Sequence, residues 1–97
     1  MRLQQHEINS IISIANTIFG DGSKVILFGS RVHDELKGGD IDLFIQPVQK
    51  EALIKKKIDF LVSLKEKIGD QKIDVILAKD SSRLIEREAL KKGILLK

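Results

Sequence analysis

Three acidic side chains, Asp40, Asp42 and Asp74, stand inside otherwise apolar stretches, GGDIDLFI and KIDVILA. Successive side chains of a strand point to opposite faces, so Asp40 and Asp42 project together while Ile41 and Leu43 turn towards a core. Two neighbouring carboxylates repel each other and resist burial unless a cation sits between them. A hard oxygen pair of this kind suits Mg²⁺, which takes carboxylate and phosphate oxygens together. Asp74 lies between Ile73 and Val75, where a lone carboxylate is costly unless paired, hydrogen-bonded or metal-bound. With its strand beside that of Asp40 and Asp42, three carboxylates converge. Such a set can hold two Mg²⁺ about 3.5–4 Å apart and clamp the attacking and leaving oxygens of an in-line phosphoryl displacement. Asp40 and Asp42 then hold the metal on a triphosphate, and Asp74 shares the second metal and draws the proton from an acceptor hydroxyl.

Upstream, the apolar run Val25–Phe28 ends in Gly29-Ser30-Arg31. A Gly-Ser turn after a strand presents backbone N–H groups to phosphate, and a residue without Cβ lets the backbone come close. Gly29 and Ser30 are therefore the candidate nucleotide grip. Arg31 offers a planar fork to the leaving pyrophosphate, although a surface ion pair with Asp34 or Glu35 accounts for it equally well. Ser30 also reads as a helix N-cap, which is compatible with phosphate binding. For Asp74 the alternative is an edge-strand carboxylate beside Lys72.

The elements that must position these residues follow from periodicity. Leu3 to Phe19 carries Ile8, Ile11, Ile12, Ala15, Ile18 and Phe19 at helical spacing and stops at Gly20-Asp21-Gly22. Lys24 to Phe28 reads as a strand, Val32 to Leu36 as a short helical segment before Lys37-Gly38-Gly39, and Ile41 to Ile45 as the carboxylate strand, ended by Gln46-Pro47. Lys50 to Ile68 predicts a second long helix whose inner stripe is Ile54, Ile58, Leu61, Val62, Lys65 and Ile68, with Lys55, Lys56 and Glu66 outside. The run Lys55-Lys56-Lys57 is read as a solvated face. A third strand spans Lys72 to Ala78, and Asp80-Ser81-Ser82 supplies N-caps for a last helix, Arg83 to Lys92, closed by Gly93. Ile94-Leu95-Leu96 adds a short edge strand. The order implies one α/β (α+β two-layer) domain, residues 1–97, with a small mixed sheet of three to four strands flanked by helices.

Composition narrows the function classes. The 97 residues suffice for a single domain, and with no Cys there is no disulfide, thiolate metal site or cysteine nucleophile. MRLQQHEINS lacks the apolar core of a signal peptide and no apolar run reaches membrane-spanning length, so a cytoplasmic protein with no membrane partner is expected. The net charge of +3 is mild, and the aromatics are four Phe without Tyr or Trp. That pattern disfavours nucleic acid as a direct partner, because stacking aromatics are missing, and is accounted for by attraction of a polyanionic nucleotide. His6 and His33 have no metal-ligand company.

GSRVHDELKGGDIDLFI, followed by IDVI around Asp74, resembles the minimal nucleotidyltransferase (MNT) group of the DNA polymerase β-like superfamily. Its hallmark is a Gly-Ser turn, about ten residues, Asp-x-Asp on the next strand and a third Asp one strand later. The likeness covers nearly the whole chain, down to the closing REALKKGILL. It departs in having nine residues, Arg31 to Gly39, between Ser30 and Asp40, and in His33 and Asp34 where the family often shows Arg and Gly. The resemblance implies the polymerase β-like core, with Gly29, Ser30, Asp40, Asp42 and Asp74 as nucleotide and metal residues, Mg²⁺ as cofactor and ATP as nucleotide.

It also implies a partner. So short a chain has little room for an acceptor site, and proteins resembling it are commonly paired in prokaryotes with a helical HEPN ribonuclease toxin. There the MNT protein is the antitoxin, transferring AMP from ATP to a Tyr of the toxin. A Mg²⁺-dependent protein adenylyltransferase in a hetero-oligomer with such a HEPN protein is the leading expectation. The others are the nucleotide-binding half of a two-protein transferase for a small molecule such as an aminoglycoside, and a non-catalytic antitoxin acting by binding. A decayed site would be expected to lose one of the three aspartates, and all three are present.

Overall fold

The chain builds its architecture around Ile- and Val-rich strands whose alternate residues are apolar on both faces, and these assemble into a four-stranded sheet. The structure is a computed structural model, and it describes residues 3–32, 39–78 and 91–97, without the side chain of Ser30. In order these form α1 (Gln5–Phe19), β1 (Lys24–Phe28), a 3-10 turn (Gly29–Val32), β2 (Ile41–Gln46), α2 (Leu53–Ile68), β3 (Ile73–Leu77) and β4 (Ile94–Leu95). The sheet order is β3-β2-β1-β4, with β1 antiparallel to β2 and to β4, and β2 parallel to β3. The α+β class with a mixed sheet is as the sequence implies. The short helical segment placed on Val32 to Leu36 and most of the closing helix fall outside the described residues; Lys91 and Lys92 are helical.

One face of the sheet supplies the burial. Val25 and Leu27 of β1, Ile41, Leu43 and Ile45 of β2, and Ile73, Val75 and Leu77 of β3 are buried with Ile11, Ala15 and Phe19 of α1 and Phe60 and Leu64 of α2. The Phe19 and Phe60 rings meet at 5.6 Å between centroids, tilted by 48°, and so join α1 to α2 within the core. The opposite face carries a smaller cluster, Ile26 and Phe44 with Phe28, Ile76 and Ala78 beside them.

The predicted inner stripe of α2 is a correction. The helix begins at Leu53, after Ala52 in the left-handed conformation (φ 53°), not at Lys50. Phe60 and Leu64 are buried, Leu53, Leu61 and Ile68 pack partly against the core, and Ile54, Ile58 and Val62 are 81%, 55% and 54% exposed. Two apolar stripes share this helix at three- and four-residue spacing. The stripe with the aromatic ring removes more surface from water, and it sets the rotation. Leu61 and Ile68 of the predicted stripe face inwards in part; Lys65 is exposed.

Candidate active site

Strand alternation and register assemble the carboxylates. In the parallel β2–β3 ladder Asp42 lies opposite Asp74, and on the other side Phe28 pairs with Asp42. Asp40, two residues before Asp42, reaches the same face. Each of Asp40, Asp42 and Asp74 offers a carboxylate oxygen such that all three lie within 4.8 Å of one another. The face is the one turned away from α1 and α2, so the chemistry and the main core occupy opposite sides of one sheet.

Three carboxylates so close carry more negative charge than the local environment neutralises. Asp42 shows the consequence: partial burial, then repulsion from Asp74 and Asp40, raises its pKa above the ordinary aspartate value, with Lys72 opposing. Lys72 Nζ lies 3.6 Å from Asp40 Oδ2, an exposed and weak pairing. The donor set fits a divalent cation on chemical grounds, being all hard oxygen and electrostatically unsatisfied without one.

Gly29 opens the 3-10 turn with φ of +76°, a conformation unfavourable to residues with a Cβ. A Cβ built there would overlap Asp42 Oδ2 and lie 3.1 Å from Asp42 Cγ. The glycine thus makes room for the central carboxylate and brings the turn's backbone against the trio. The backbone of Ser30 follows within this turn. Arg31, placed by sequence reasoning at a phosphate or at Asp34 or Glu35, donates from Nε to the Gly39 carbonyl (3.3 Å) and from Nη2 to Gln71 Oε1 (3.1 Å). It bridges the two ends of the segment that separates the turn from Asp40.

Two features escaped the sequence reading. A cavity of about 540 Å³ extends from Asp42, Asp74, Phe28 and Ile76 to Lys57 and Leu61 of α2, so one lysine of the supposed solvated run borders the site. Glu7 is buried at 7% exposure and joins the Arg31 hydrogen bonds through Gln71. Its signal was present: residues 7, 11, 15 and 19 form one row of α1, and the other three are buried and apolar.

A family model described as "Polymerase beta, Nucleotidyltransferase" matches residues 9–97. No curated protein matches the chain. Among the described residues no helix is long and apolar enough to cross a membrane.

Proposed function

The chain belongs to the polymerase β-like nucleotidyltransferase family, and from that premise we propose that it is a Mg²⁺-dependent protein adenylyltransferase, an antitoxin that transfers AMP from ATP to a tyrosine of a cognate helical HEPN toxin in the cytoplasm. The observation that carries the reading is the carboxylate trio on the open sheet face, beside a glycine turn whose missing Cβ leaves the space that Asp42 occupies. In this reading Asp40, Asp42 and Asp74 hold the metal, and Gly29 and Ser30 present backbone N–H groups to the triphosphate. When bound, Mg²⁺ neutralises the charge that develops on the phosphoryl oxygens and lowers the cost of the crowded carboxylates. The acceptor hydroxyl oxygen forms a bond to the α-phosphorus as the bond to the bridging oxygen breaks. Asp74 takes the hydroxyl proton, and pyrophosphate leaves.

A protein acceptor is favoured by α2. Ile54, Ile58 and Val62 form an exposed apolar row, and the adjoining Leu61 and Lys57 of the same helix line the cavity that reaches Asp74. A helical partner seated on this row lies next to the Lys57 and Leu61 side of that cavity. The size of the cavity also suits a small-molecule acceptor, the second reading.

Intact-mass spectrometry of the product of the neighbouring gene, after incubation with this chain, ATP and Mg²⁺, tests the proposal. The expected result is a gain of one or more AMP units, lost with Asp42→Asn. A stable inhibitory complex without mass gain overturns catalysis in favour of occlusion. Neither complex nor gain, with an aminoglycoside modified in its place, overturns the protein acceptor.

A further inference from the structure

Glu7 is the one charged residue buried among the described residues, and its two oxygens are fully engaged: Oε1 accepts from the Gln4 backbone N–H (2.8 Å) and Oε2 from Gln71 Nε2 (2.6 Å). Burial works against its ionisation, yet the Gln4 N–H, the Gln71 amide and the nearby Arg31 charge together hold its pKa below the ordinary glutamate value. Gln71 is fixed a second time by donating to the Ile68 carbonyl at the end of α2 (3.1 Å). Its own Oε1 accepts from Arg31 Nη2, and Arg31 Nε donates in turn to the Gly39 carbonyl. One continuous hydrogen-bonded chain therefore runs from the first turn of α1, through the segment leading into β3, to the 3-10 turn and to the peptide preceding Asp40.

We infer that Glu7 and Gln71 are positioning residues for the nucleotide site: they orient Arg31, and Arg31 fixes the Gly39–Asp40 peptide relative to the turn that begins at Gly29. The inference rests on the reading of that turn and Asp40 as the nucleotide and metal site. Arg31 has many rotatable bonds, and its guanidinium is oriented through Nη2 by Gln71 Oε1, whose amide is itself tied to Glu7 and the Ile68 carbonyl; this aims Nε at the Gly39 carbonyl. Holding the Gly39 carbonyl constrains the direction in which the next residue, Asp40, leaves the backbone. On one side the Glu7 carboxylate closes the capping box of α1 through the Gln4 N–H; on the other it reaches out of the helix to Gln71, which a purely local cap does not require. A carboxylate there serves as an anchor for two donors.

The order of donors makes the relay testable by reversal. Gln71→Glu sets a carboxylate against Glu7 and breaks the chain. Adding Glu7→Gln restores it with opposite polarity, because the amide on α1 then donates and the carboxylate before β3 accepts from it and from Arg31. The position-7 amide oxygen still accepts from Gln4; only the Ile68 contact is not replaced. The probes are Mg²⁺·ATP affinity by calorimetry, backbone amide resonances of Gly39 and Asp40, and the melting temperature. The expected result is about tenfold weaker Mg²⁺·ATP binding for Gln71→Glu, the scale of outer-shell changes at metal sites, with displaced Gly39 and Asp40 resonances. The double variant recovers both. Wild-type affinity in a folded Gln71→Glu, or a double variant that regains melting temperature but not affinity, overturns the relay alone. Failure of the wild-type chain to bind Mg²⁺·ATP overturns the functional reading, and the relay's role with it.

Discussion

Asp42→Asn sets the energetics of the site against those of the fold. The substitution removes one charge from a trio whose oxygens lie within 4.8 Å of one another, keeps the volume, and leaves an amide able to donate to Asp74. At that separation a like-charge pair costs about 1 kcal/mol with water's dielectric constant and about 3.5 kcal/mol with an effective value of 20. Asp42 is only half-buried and Lys72 opposes the repulsion, so the lower figure governs each of its two pairs. The metal-free variant is then more stable than wild type by about 1–2 kcal/mol, with about 4–8 °C in melting temperature for each kcal/mol in a domain of this size. The pH dependence has a definite sign. Because the folded-state pKa of Asp42 is raised, the folded chain binds this proton more tightly than the unfolded chain does. Wild-type stability therefore falls as pH climbs from the ordinary aspartate range, about 3.9, through the raised value. The variant lacks that loss, so the gap opens with rising pH and is complete near neutrality. Mg²⁺ with ATP reverses the ranking: at a hundred times its dissociation constant a ligand adds about 2.7 kcal/mol to wild type, and little to the variant. Thermal unfolding in chelator and in Mg²⁺·ATP, at several pH values, reads all three effects. A metal-free variant less stable than wild type, or equal gains from Mg²⁺·ATP in both, refutes the assignment of Asp42.

Gly29→Ala introduces a Cβ into space held by Asp42 Oδ2, at a φ of +76°. The expected loss is about 1–3 kcal/mol of stability together with Mg²⁺·ATP binding, since the central carboxylate must move; calorimetry showing unchanged affinity would exclude the close approach. Ile58→Lys, at a position 55% exposed on α2, is expected to change the melting point little and leave Mg²⁺·ATP affinity intact, yet to abolish the complex with the helical partner in analytical ultracentrifugation. An unaffected complex would place the partner elsewhere.

The site was the more legible part of this sequence because strand periodicity is rigid. With a period of two, Asp40 and Asp42 share a face wherever the strand goes, and Asp74 joins them once β3 pairs in parallel with Asp42 opposite Asp74. The helices were less legible because their faces are chosen by competition. On α2 the row Ile54, Ile58 and Val62 has a perfectly helical spacing, but Phe60 packs against Phe19 and Leu64 fills the core, and this turns the aliphatic row outwards. Glu7 was hidden for a related reason. An acidic residue in a first helical turn is ordinarily an exposed partner of the helix dipole, and only the approach of Gln71, 64 residues away, makes it a buried anchor.

The division of labour between the sheet faces follows from these energies. Ile41, Leu43, Ile45, Ile73, Val75 and Leu77 bury one face under two helices, whereas Asp40, Asp42 and Asp74 crowd together on the other, where the neighbouring carboxylates work against the charge of Asp42. Neighbouring residues of β2 and β3 therefore have opposite expected effects: truncating Leu43 costs about 2–5 kcal/mol, while neutralising Asp42 next to it stabilises the metal-free chain. α2 packs on the core face, yet two of its residues border the cavity that reaches Asp74. Phe60 and Leu64 anchor it in the core, while Lys57 and Leu61 border the cavity beside Asp74. For the proposed partner, seated on the exposed row of that helix, the expected result is that its binding alters nucleotide affinity by the same factor by which nucleotide alters partner binding, read by calorimetry with and without partner; equal nucleotide affinities refute coupling through α2.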